Sequence, residues 1–261
     1  MKTSTKEGKY IYCIIALDAA GGSGESKTFG PIGIGNRGDE LHTICHKGIA
    51  AVVSDSPVIE YSVSRENMIP HEQAIEEVMK EYTVLPVRFG TISEDEGMVK
   101  KIIEREYDKF VDLLGAMEGK KEIGLKAIFK EDVIYKYILE KHENIRNIKE
   151  KISTLRPDKT YYQRMQIGEM VEAALGEEKE IHKNNILDTL SPLAQEVKEN
   201  NTYGERMIIN AAFLVENDRE QEFDRNVNEI AETDGDKIKF KYVGTVPPFN
   251  FVNLVIETGR H

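Results

Sequence analysis

Apolar residues fall along the chain in two alternating patterns: short dense runs of β-type composition, and longer polar stretches where they return every three or four positions. Tyr10-Ile-Tyr-Cys-Ile-Ile-Ala-Leu17 is rich in β-branched and aromatic residues and predicts a buried strand. Residues 18–40 hold Gly, Ser, Pro and Asn and predict a long loop. Leu41 to His46 and Ile49 to Ser54 predict two strands, joined as a hairpin at Lys47-Gly48. Ser64 is the expected N-cap of a helix with Ile69, Ala74, Ile75, Val78 and Met79 on its inner stripe; its Pro70 fits near a first turn. Val84 to Phe89 predicts a strand, and Pro86 assigns it to an edge or a strand end because proline cannot donate to a ladder. Ser93 is the expected cap of a second helix, with Glu94, Asp95 and Glu96 opposing the dipole and a stripe of Val99, Ile102, Ile103, Phe110, Leu113 and Leu114. Glu122 to Phe129 predicts another strand, and the order of these elements an antiparallel or mixed sheet with helices on one face.

From Glu131 to about Asn200 the period is helical. Ile134, Ile138, Ile145, Ile148 and Ile152 mark one helix, stopped at Arg156-Pro157-Asp158. Tyr162, Met165, Met170, Val171, Ala174, Leu175 and Ile181 mark a second that continues past Leu190, with Pro192 at a kink or a new start. Two long helices meeting at a short turn predict an antiparallel hairpin. Beyond it, Met207 to Val215 predicts a strand, Phe223, Val227 and Ile230 a short helix, Ile238 to Val243 a half-exposed strand and Phe249 to Ile256 a last strand. The expected class is α+β: an N-terminal α+β domain over 1–130, a helical hairpin region over 131–200, and a C-terminal ferredoxin-like domain over 201–261.

Charge then narrows the partners. Acidic residues outnumber basic ones by 46 to 35, a net charge of −11. Such a chain is repelled by nucleic-acid phosphates and anionic lipid unless a local basic patch intervenes, and none stands out. The apolar run at Tyr10 to Leu17 is too short to span a bilayer and lacks the pattern of a secretion signal, so a soluble, cytoplasmic protein is expected. Cys13 and Cys45 sit inside strand-like segments and read as reduced buried thiols; a disulfide would need their two strands to be neighbours.

Four groups of residues carry candidate chemistry. Gly21-Gly-Ser-Gly-Glu-Ser-Lys-Thr28 approaches a phosphate-binding loop, but Ser26 stands where that loop needs glycine before its lysine, and Phe29-Gly-Pro-Ile is a poor helix start. A nucleotide-binding enzyme using residues 21–28 is the alternative reading of the whole chain. Gly33-Ile-Gly-Asn-Arg-Gly38 matches a dinucleotide fingerprint without its strand–helix context. His42 and His46 share a strand face but lie roughly 13 Å apart, too far to ligate one metal, and Cys45 points the other way. His71-Glu72 opens a helix with no nucleophile or second acid in any recognisable pattern. No catalytic, cofactor or metal site is therefore expected.

Six segments, taken in order, resemble the gas vesicle GvpF/GvpL family: Tyr10-Ile-Tyr-Cys-Ile-Ile, Ala50-Ala-Val-Val-Ser54, His71-Glu72, Val84-Leu-Pro-Val-Arg-Phe-Gly-Thr91, Tyr161 to Met170, and Val243-Gly-Thr-Val-Pro-Pro-Phe-Asn-Phe-Val252. Thr245, Val246 and Phe249 replace the Pro, Trp and Tyr usual in that last motif. The resemblance implies a non-catalytic accessory protein of gas vesicle formation, closer to GvpF, located at the gas vesicle and in the cytoplasm. It implies binding to the hydrophobic shell protein GvpA, and to other accessory proteins, as an assembly factor or a minor wall component. The partner surface is expected around Pro86, Arg88 and Phe89 and around Pro247, Pro248, Phe249 and Phe251; the competing expectation is that these residues pack a joint between domains.

Overall fold

The computed structural model describes residues 6–17, 26–156 and 159–257, which divide into two compact units: one takes residues up to 122 together with 245 onward, the other residues 123–244. In the first unit β1 (Glu7–Ala16) is central, with Tyr10 to Ile15 fully buried. It pairs antiparallel with β4 (Ile49–Pro57), which pairs with β3 (Leu41–His46), which pairs with the short β2 (Thr28–Gly30). The expected hairpin forms at Lys47-Gly48, with Lys47 at φ +51°. On its other side β1 pairs with β5 (Val84–Pro86) and β6 (Ile92–Ser93). Pro86 is thus on an edge strand, as its missing N–H requires.

The ladder between β1 and β4 slips by one residue between Ile11 and Cys13, a bulge centred on Tyr12. A bulge breaks strict alternation of faces. Tyr10, Tyr12, Cys13 and Ile15 all join the cluster that buries Ala74, Ile75 and Val78 of α1 (Arg65–Met79). Ile11 and Ile14 stand outside that cluster and point to the opposite face, where α2 (Glu96–Arg105) and α3 (Tyr107–Met117) contact β1. The helices therefore cover both faces, not one. Pro70 sits within a continuous α1.

The expected single helix after residue 93 is two, broken at Glu106 (φ −100°, ψ 13°). Its cap is Asp95, whose Oδ1 accepts from the Met98 N–H at 2.9 Å, while Ser93 is buried in β6. The strand expected over residues 84–89 ends at Pro86. No strand forms over residues 249–256 either: Phe249, Phe251 and Val252 turn their N–H groups onto the carbonyls of Pro247 and Pro248, leaving a single parallel bridge between Val87 and Leu254.

The second unit holds a sheet in the order β10 (Ile238–Val246), β7 (Lys120–Phe129), β9 (Met207–Glu216), β8 (Glu196–Glu199). β7 therefore lies in this sheet and not with the N-terminal strands, and β8 occupies residues expected to be helical. The helical stretch is α4 (Glu131–Lys141), α5 (Glu143–Ser153) and α6 (Tyr161–Leu190), with a break at His142 and a short 3-10 turn at Ser191–Leu193 holding Pro192. Pro157 and Asp158, the expected turn between the long helices, lie outside the described residues. α4 and α5 both pack on α6, and α7 (Glu220–Asp234) packs on β9 and α6. Phe129, Ile134, Ile138, Leu175, Phe213 and Phe223 are in the core that these elements enclose.

The tightest packing in the first sheet is at Gly8, where an added Cβ would sit 2.4 Å from the Ser93 carbonyl oxygen and 2.6 Å from Val58 Cγ2. Replacing Gly8 with Ala should push β6 off β1 and destabilise the unit by about 1–3 kcal/mol, seen as a lower urea midpoint by circular dichroism.

Candidate functional site

The segment after Pro86 leaves the sheet and returns to it. Val84 sits opposite Ile15 and Ile92 opposite Tyr10, eight steps on one strand against five on β1, so three residues are looped out. Backbone bonds fix both ends of the excursion: Val87 N–H donates to the Tyr12 carbonyl at 2.9 Å, and Ile11 N–H to the Thr91 carbonyl at 2.9 Å. Between them lie Arg88, Phe89 and Gly90. Gly90 has φ +80°, a conformation that a side chain would strain.

A buried polar chain holds the loop from beneath. The Gly90 N–H donates to the Tyr10 hydroxyl at 2.9 Å, and that hydroxyl donates to His71 Nδ1 at 3.1 Å. With the hydroxyl donating, the proton of the neutral ring is on its other nitrogen, and the ring also bonds the Val87 backbone. Phe89 stands edge-on to His71, ring centres 5.6 Å apart, and His71 stacks on Tyr12 at 5.8 Å. The Tyr12 hydroxyl accepts from the Ile34 N–H at 2.7 Å and bonds Ser54 Oγ at 2.9 Å; Tyr61 reaches Ser56 Oγ at 3.0 Å. Burial pushes the Tyr10 hydroxyl pKa well up and that of Tyr12 to about 12, so both stay protonated donors. Burial also lowers His71 to about 4, partly opposed by its bond to Val87.

The C-terminal turn is anchored separately. The Glu122 side chain is 3% exposed and accepts from the Asn250 N–H at 2.8 Å and from the Asn250 side-chain amide. With the Val87–Leu254 bridge, this brings residues 247–254 alongside the end of β5. Of the expected surface residues, Pro86, Pro247 and Pro248 are buried, Phe89 and Phe251 half-buried, and Arg88 and Phe249 exposed. Val255, which the sequence did not single out, is exposed beside them in the chain. Tyr10 was legible as part of a strand and His71 as a helix start, but their pairing across 61 residues had no sequence signal.

The other candidate groups are otherwise engaged. Gly21 to Glu25 lie outside the described residues. Thr28 begins β2 rather than a helix, and Lys27 Nζ is bonded to the Tyr82 hydroxyl. After Gly33 comes a 3-10 turn and then β3, with no helix to meet a pyrophosphate. His42 lies between Lys9 Nζ and the Glu40 carbonyl, and His46 stands against Tyr107 and Glu104. Cys13, buried, and Cys45, half-buried, are not joined in a disulfide and lie on strands separated by β4. Partial burial and Glu76 raise the pKa of Glu72, while its neighbour His71 faces Tyr10. Among the described residues no group of three His, Cys, Asp or Glu side chains is placed to hold a metal, and no helix is long and apolar enough to cross a membrane.

Comparison with known proteins gives one answer. The family model "Gas vesicle synthesis protein GvpL/GvpF" matches residues 8–253. Gas vesicle protein F of Dolichospermum flosaquae is 27% identical over 198 residues, covering 75% of this chain and 80% of its own. Gas vesicle protein F of a Streptomyces species is 26% identical over 220 residues, covering 84% and 91%. The crystal structure of GvpF from Anabaena sp. PCC7120 has the same fold, with a TM-score of 0.77 at 23% identity over 95% of this chain and 99% of that one. GvpF from Microcystis aeruginosa gives 0.71 at 25% identity over the same shares.

Two outcomes test the buried chain. Tyr10→Phe leaves the Gly90 N–H and His71 Nδ1 without their partner and should cost about 1–3 kcal/mol in a denaturant titration. The folded pKa of His71 lies below its unfolded value, so the unfolded chain takes up the proton first as pH falls. Its contribution is complete above about pH 6.5 and is lost between there and about pH 4, a total of roughly 3 kcal/mol. Stability measured against pH should therefore fall more steeply over that window in the native chain than in His71→Gln, by up to one proton.

Proposed function

Because the chain belongs to the GvpL/GvpF family of gas vesicle synthesis proteins, on the GvpF side of it, we propose that it binds the gas vesicle shell protein GvpA through the looped edge of its first sheet. It is a gas vesicle accessory protein that acts in vesicle assembly. The observation that carries the proposal is the division of labour within the two most specific motifs. Pro86, Pro247 and Pro248 are buried, and the buried residues hold a short rigid platform from which Arg88 and Phe249 reach solvent. An exposed aromatic ring and an arginine on a fixed backbone are the residue types that anchor protein interfaces.

The physical task fits this surface. A subunit whose final surroundings include gas carries a large apolar patch before assembly, and such patches aggregate. A partner of net charge −11 that covers the patch keeps the pair apart from other pairs by repulsion. The alternative reading, a nucleotide-binding enzyme using residues 21–28, finds no support among the described residues: β2 stands where the required helix would begin, and Lys27 is bonded to Tyr82.

We also read the second unit as ferredoxin-like. Its chain order is strand, helices, strand, strand, helix, strand, and its sheet order β10-β7-β9-β8 places the first strand beside the fourth and third. On this reading the unit begins at β7, and the helical stretch is its enlarged first crossover.

Co-expression with GvpA, followed by pull-down and a count of soluble GvpA, tests the proposal. The native chain should co-purify with GvpA and raise its soluble fraction. The double change Arg88→Ala with Phe249→Ala should weaken capture at least tenfold while leaving the melting temperature unchanged. Undiminished capture by that variant would move the interface elsewhere; no capture by the native chain would overturn the binding itself.

A further inference from the structure

A second surface lies wholly within the other unit. Tyr161, Met165, Gly168, Glu172, Gly176 and Lys179 follow one another along α6 at spacings of three and four, so they share one face about 27 Å long. Tyr161 and Met165 are 63% and 49% exposed. The other four line a groove of about 470 Å³ together with Tyr135 of α4, Val171, Leu175 and Glu205. The groove exists because two positions on this face have no side chain. A Cβ at Gly168 or Gly176 would touch nothing within 4 Å, and glycine inside a helix costs about 1 kcal/mol relative to alanine. Folding of the unit does not require glycine at either place.

The N-terminal end of this face adjoins a basic stretch in an acidic chain. Arg146, Lys149, Lys151, Arg156, Lys159 and Arg164 face only Glu150 and Asp158 over residues 146–164, a local excess of four positive charges against −11 overall. Lys149, Lys151, Arg156, Lys159 and Arg164 are exposed, alongside Leu155 and Tyr162. No ion pair neutralises these five among the described residues. Salt limits the reach of that field to about 8 Å, so it selects what touches the tip, not what approaches the whole molecule. A long polyanion or an anionic membrane would also meet the acidic remainder of the chain. A single helix along this face meets far less of it, with Glu172 and Glu205 the acidic residues that line the groove.

We propose that this face of α6 is a docking groove for an amphipathic helix of a partner protein, with acidic residues in the turns that meet Arg156, Lys159 and Arg164 and apolar residues spaced three and four apart that enter the groove. Apolar anchors at that spacing are how a helix fills a groove. Tyr161 and Met165 continue the same face toward the start of α6 and expose aromatic and thioether surface there. This surface is independent of Arg88 and Phe249, and of the partner proposed for them.

The probe is a labelled 18-residue helix-forming peptide with leucines spaced three and four apart and glutamates in its first two turns, followed by fluorescence anisotropy on the intact protein. Its counterpart carries lysine in place of each glutamate. The glutamate peptide should bind at least tenfold more tightly than the lysine peptide, and less tightly as salt rises. Gly168→Leu with Gly176→Leu fills the groove and should weaken binding at least tenfold with helix content unchanged. Arg156→Glu with Lys159→Glu and Arg164→Glu should do the same and remove the salt dependence. Equal binding of the two peptides, no binding at all, or indifference to both variants overturns the proposal. Sedimentation showing a self-association that the groove-filling variant abolishes would assign the face to a second copy instead. Adherence to phosphatidylserine vesicles that the peptide fails to displace would assign the tip to lipid instead.

Discussion

The hydroxyl of Tyr10 is the point on which the first unit turns. It is fully buried, and it meets that cost by accepting from Gly90 and donating to His71. Through one atom the central strand, the first long helix and the loop at the sheet edge are tied together. Loss of that hydroxyl would take a partner from both the Gly90 N–H and His71 Nδ1. The neighbouring chain through Tyr12, Ser54 and the Ile34 backbone does the same for β4 and the turn before β3. Tyr10 and Tyr12, two residues apart, bring both chains to one side of β1, and the bulge adds Cys13 to the same side.

Most of the elements could be read from apolar spacing, and the exceptions share a cause. The break at Glu106 has no proline or glycine to announce it, and the apolar stripe runs from Ile103 to Phe110 across it. His142 interrupts an isoleucine series that is periodic on both sides. β8 reads Glu-Val-Lys-Glu, an edge strand with little to bury, and so resembles the polar end of a helix. Conversely, residues 249–256 are apolar enough for a strand, but the carbonyls of Pro247 and Pro248 claim the amides a ladder would need. Local pattern reports propensity and burial; it does not report which carbonyl an amide will choose.

The candidate site was half legible for the same reason. The motif at residues 84–91 stood out as a string of unusual residues, and Pro86 was rightly placed on an edge. That three of its residues leave the sheet depends on registers with β1, and those are set by partners some seventy residues away. Glu122 carried no signal at all: its role follows only from the burial of its carboxylate against Asn250. The charge excess at the tip of the helical stretch was hidden inside a strongly acidic total, because a sum over 261 residues conceals a local reversal of sign.

The looped-out residues have a consequence for the protein before it meets any partner. An outer strand that ran unbroken from Val84 to Ser93 would offer a straight row of unpaired amides and carbonyls, on which another chain could add a strand of its own. The interruption at Arg88 to Gly90 shortens that row to a few residues on either side, and the bridge from Leu254 covers part of what remains. On this side the first sheet thus offers no long template for cross-β growth.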